Sequence, residues 1–66
     1  MNNSLEDYAE AVRAALRKAA TAAYEDAGVQ GLCPEGRWEA AVSAMETLDL
    51  QSVLRDLNAD ADARRD

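Results

Sequence analysis

The chain has 66 residues, a formal net charge of −6, no histidine, and one cysteine. A length of this order makes one small domain that buries only about 60% of the surface its unfolded form exposes, and a single thiol cannot close an internal disulfide. Zinc, haem and iron–sulfur ligation are poorly supplied, the acidic balance opposes nucleic-acid binding, and no apolar run approaches the ~20 residues of a membrane span.

The N-terminal "MNNSLEDYAE" has neither the positive region nor the apolar stretch of a signal peptide. The expectation is a cytoplasmic protein that uses no cofactor.

The first predicted helix spans about 4–27. Asn3 or Ser4 can cap it, with Glu6 or Asp7 at the capping-box spacing. Leu5, Tyr8, Val12, Leu16 and Ala23 recur along one stripe, while Glu6, Glu10, Arg17, Thr21 and Glu25 fall opposite. Gly28 stands where a left-handed C-cap is expected, and Val29 is expected to fold back onto the last turn. Alanines crowd the stripe between Ala9 and Ala27, which suits both helix propensity and close approach of a neighbouring helix. Tyr8 and Tyr24 flank the stripe, where an apolar ring can border a buried surface and a hydroxyl can stay wet.

A second helix is predicted over about 34–47. Pro34 suits its first position, because proline presets φ and gives up an N–H that has no partner there. Trp38, Ala41, Val42, Met45 and Leu48 form its stripe. A loop of about six residues joins the two helices, a length that suits an antiparallel helical hairpin.

Leu50, Val53, Leu54 and Leu57 then repeat at i, i+3, i+4 and i+7, but out of phase with the preceding stripe by roughly 130°, taking ~100° per residue. A break at "TLD" explains this, with Asp49 or Thr47 capping a short third helix over about 50–58. A continuous helix with a second apolar face is the alternative. The single domain is placed at 1–57, and the polar stretch from 58 to 66 is expected to fray.

Several motifs fail on inspection. "NADAD" imitates the opening of a calcium loop, but Ala63 stands where glycine is required and no closing glutamate follows. The three glycines do not match a dinucleotide fingerprint. Acidic pairs such as Glu6 and Glu10, or Glu35 and Glu39, lack the Glu-x-x-His partner of a di-iron bundle.

Cys33, just before Pro34, sits where helix N–H groups favour a thiolate, which makes it the candidate redox residue. The alternative is a small, half-buried residue that fills the hairpin corner. No histidine exists to act as its base, so no catalytic residues are assigned.

The expected fold is all-α: a hairpin plus a short third helix, assembling into a bundle by homodimerisation or by docking on a larger protein. The expected function is a non-enzymatic interaction module. Its candidate interface is Trp38, Met45, Leu50, Val53, Leu54 and Leu57. The alternative is a thiol-based redox or small-ligand regulator that works through Cys33.

Overall fold

The computed structural model describes residues 4–63, with side chains described from Ser4 to Ala59. Three helices follow one another: α1 (Leu5–Val29), α2 (Pro34–Glu46) and α3 (Leu50–Ala63). Among the described residues there is no strand. The fold is all-α, and the third helix is separate from the second.

Helix α1 opens on a reciprocal cap. The Asp7 N–H donates to Ser4 Oγ at 3.1 Å, and the Ser4 N–H donates to Asp7 Oδ2 at 3.2 Å. Both N–H groups lack a helical acceptor, so the pair satisfies two orphan donors at once. Asn3, the other candidate cap, lies outside the described residues. Leu5 departs from the expected stripe: as the first helical residue it is 86% exposed. The stripe is half-buried from Tyr8 through Val12, Leu16 and Ala23, and it ends at the buried Ala27.

The end of α1 differs from expectation in which glycine closes it. Gly28 is helical, and Gly31 is the residue with positive φ, at +90°. The Leu32 N–H donates to the Ala27 carbonyl and the Gly31 N–H to the Gly28 carbonyl, both at 3.0 Å. These crossed bonds are a Schellman motif with Gly31 in the left-handed position. Val29 does not fold back; it is 87% exposed.

Helix α2 starts on Pro34 after an extended Cys33 (φ −71°, ψ 167°). Thr47 closes it, donating its N–H and its Oγ1 to the Ser43 carbonyl at 3.0 and 2.9 Å. Two residues on, Asp49 Oδ1 accepts the Ser52 N–H at 3.2 Å. The candidate caps therefore divide the work: Thr47 ends α2 and Asp49 begins α3. Helix α3 runs to Ala63, past the expected end near 58. Alanines at 59, 61 and 63 alternate with Asn58, Asp60 and Asp62. Extending an existing helix through alanine needs no large apolar side chain, since only nucleation is costly.

The fold divides into two compact units, one formed by the chain to Ala15 with the segment from Asp49 onward, the other by Leu16–Leu48. In the first, Tyr8 Oη donates to Asn58 Oδ1 at 2.7 Å across 50 residues of sequence. Its half-buried side chains include Ala11, Val12 and Ala15 of α1 and Val53, Leu54 and Leu57 of α3. In the second, Ala27 and Ala41 are the buried side chains, 4% and 3% exposed.

Candidate interaction surface

The six apolar residues singled out from sequence fall in both units. Trp38 and Met45 belong to α2 in the second; Leu50, Val53, Leu54 and Leu57 belong to α3 in the first. Trp38 is 61% exposed and Leu50 45%, whereas Met45, Val53, Leu54 and Leu57 are half-buried.

Within the second unit Trp38 borders a shallow groove of about 310 Å³, open to solvent and lined mainly by apolar atoms. Ala20, Thr21, Tyr24 and Glu25 line it from α1, and Trp38 and Ala41 from α2. Residues three and four apart on a helix share a face, which sets Ala20 and Thr21 beside Tyr24, and Trp38 beside Ala41. The alanines leave the space open: neither Ala20 nor Ala41 has the bulk to fill the gap beside an indole ring. Met45 does not line the groove.

Sequence periodicity marked Trp38 but missed Thr21 and Glu25, which fell on the polar side of the α1 stripe. No local signal in the sequence sets them apart from the other polar residues of α1, because only the approach of α2 brings them to the groove.

The corner between α1 and α2 is filled from within the chain. A Cβ built on Gly36 would meet the Leu32 side chain, with Cδ2 at 3.3 Å and Cβ at 3.4 Å. A Cβ on Gly28 would meet the Arg37 guanidinium at 3.3 Å. Arg37 is held there by donating Nε to the Leu32 carbonyl at 2.9 Å. Glycine at both positions therefore accommodates the chain's own side chains.

Cys33 is exposed and free. As N-cap of α2 it makes no side-chain cap bond, and its carbonyl accepts the Arg37 N–H at 2.9 Å. Glu35, in the first turn, places a carboxylate close in sequence.

The remaining polar surface holds an exposed pair, Arg13 to Glu10 at 3.5 Å, whose solvent exposure leaves it little to contribute. Among the described residues, no group of three or more histidine, cysteine, aspartate or glutamate side chains is placed to hold a metal ion. No helix among them is long and apolar enough to cross a membrane. Comparison with protein-family models, with curated proteins and with solved structures finds no match to this chain.

Proposed function

We propose that this chain is a non-enzymatic protein–protein interaction module, such as a small accessory subunit, adaptor or regulator. Its helices α1 and α2 form an antiparallel hairpin that joins a larger bundle, by homodimerisation or by docking on another protein. A cytoplasmic setting, where a lone thiol stays reduced, fits this reading.

The observation that carries it is burial. Among the described residues no large side chain is fully buried, while Trp38 stands 61% exposed beside an apolar groove. Covering the exposed part of that indole, on the order of 100–150 Å², is worth about 3 kcal/mol before ordering costs. A domain this small has only about 3–5 kcal/mol from its own core. A contact over Trp38 is therefore comparable to the stability of the isolated chain.

The face on α3 extends the same reading. Leu50 with Val53, Leu54 and Leu57 forms the second apolar surface of the module. Sedimentation across a dilution series, with and without reductant, tests association and any bridge through Cys33 together. A folded monomer at every concentration and in every mixture with host extract overturns the reading. Leu54→Glu is expected to abolish association while helix content by circular dichroism is kept; loss of helicity instead places this half-buried residue in the core of its own unit.

A second reading is favoured by the exposure of Cys33 at a helix N-cap. In it the chain is a thiol-based regulator that responds to oxidants or small electrophiles. Cys33→Ser then abolishes the response with helix content intact; an unchanged response leaves Cys33 as a corner residue.

A further inference from the structure

We infer that the groove between Tyr24 and Trp38 seats an arginine side chain carried on a helical segment of a partner protein. This rests on the reading of the chain as an interaction module and names what that module grips. The groove lies wholly within the Leu16–Leu48 unit.

Its chemistry is that of a guanidinium site. Tyr24 and Trp38, 41% and 61% exposed, supply two aromatic rings. Glu25 lines the same groove and has no hydrogen-bond or ion-pair partner among the described residues. Ala41 at the floor and Ala20 beside it offer apolar surface for the methylene stem of a long side chain.

Geometry separates the possible cations. A quaternary ammonium is held by rings on several sides, which two rings on an open groove do not supply. Lysine is a compact, strongly hydrated point charge. A planar guanidinium stacks on a ring and presents a fork of N–H donors to a carboxylate. The volume, about 310 Å³, is at the small end of the ~300–1,000 Å³ of ligand clefts and suits one anchoring side chain. Overall charge separates the possible partners. A net charge of −6 favours a cationic segment over a second copy as the occupant of this groove. A groove between two helices accepts a third helix through such an anchor.

Trp38 is the sole tryptophan, so its emission reports occupancy directly. The full chain is titrated with a capped alanine–leucine helical peptide bearing one arginine, and with versions carrying lysine or neutral citrulline instead. The arginine peptide is expected to shift Trp38 emission saturably, with lysine several-fold weaker. Citrulline in the peptide, or Glu25→Gln in the chain, is expected to weaken binding at least about tenfold.

Equal binding of the citrulline peptide, undiminished binding by Glu25→Gln, or no saturable response up to millimolar peptide overturns the inference. So does emission that changes with chain concentration in peptide-free solution, which puts a second copy in the groove. Free N-acetylarginine amide binding as tightly as the peptide also overturns it, by assigning the groove to a small cation. Loss of the arginine preference with association intact in sedimentation removes this inference alone; a monomer in every mixture removes the interaction reading itself.

Discussion

The Arg37 guanidinium occupies the space beside Gly28, 3.3 Å from where a Cβ on that glycine would stand. Two demands meet there. Gly28 is helical, where alanine is preferred by about 1 kcal/mol, yet an added methyl presses on a side chain anchored to the Leu32 carbonyl.

Gly28→Ala is therefore expected to raise stability by only about 0.5 kcal/mol with Arg37 present, and by about 1 kcal/mol in an Arg37→Ala background. Urea denaturation of the four chains of this double-mutant cycle measures the difference. An equal gain in both backgrounds contradicts the contact.

Gly31 poses the opposite case. Nothing stands within 4 Å of a Cβ built there, but φ is +90°. The cost of Gly31→Ala is conformational, about 1–2 kcal/mol. Asparagine, which tolerates the left-handed region, is expected to cost less than alanine, and valine more. That order, read from thermal midpoints, distinguishes backbone strain from steric crowding.

Helix entry rests on two short-range caps. Ser4→Ala and Asp7→Ala are each expected to cost about 1 kcal/mol, with the double change costing little more, because the two residues form one reciprocal unit. Asp49→Ala is expected to cost a similar amount, about 1 kcal/mol, by removing the acceptor for Ser52, whereas Asp49→Asn retains it. Denaturant midpoints check both.

Tyr8→Phe removes the bond to Asn58 and is expected to cost about 0.5–1 kcal/mol. Asn58→Ala should match it, and the pair together should cost no more than either alone. Additive losses would separate the two side chains.

Trp38→Ala is expected to cost the isolated chain about 1 kcal/mol or less, far below the ~3–5 kcal/mol of a core tryptophan, because most of the ring is already in water. The same change is expected to lower partner affinity by about tenfold or more. A core-sized loss of stability would place the indole inside the fold.

These residues also show what the sequence made legible. Ser4 with Asp7, Pro34 at the head of α2, and Asp49 before the phase shift are local signals, read from neighbours within four positions. Each stands at its helix end. The choice between Gly28 and Gly31 was not local. Both are glycines near the end of one periodic stretch; the space beside Gly28 holds Arg37 of α2, while Gly31 takes the positive φ. Leu5 and Trp38 expose a second limit: periodicity assigns a residue to a face but does not say whether anything covers that face. The candidate groove was half legible for the same reason. Trp38 was marked by its stripe, while Thr21 and Glu25 gain their importance only where α2 comes alongside α1.

The bond from Tyr8 to Asn58 carries a consequence for how the chain acquires its structure. The unit formed by Leu16–Leu48 is continuous in sequence, so its contacts close short loops. The other unit draws on both ends of the chain and must close a span of 50 residues. Nearby contacts form first because less entropy is lost in making them. During synthesis the first half of α1 must wait for α3 to be made. Of these three helices, the earliest in sequence is thus fully packed only once the latest has been made.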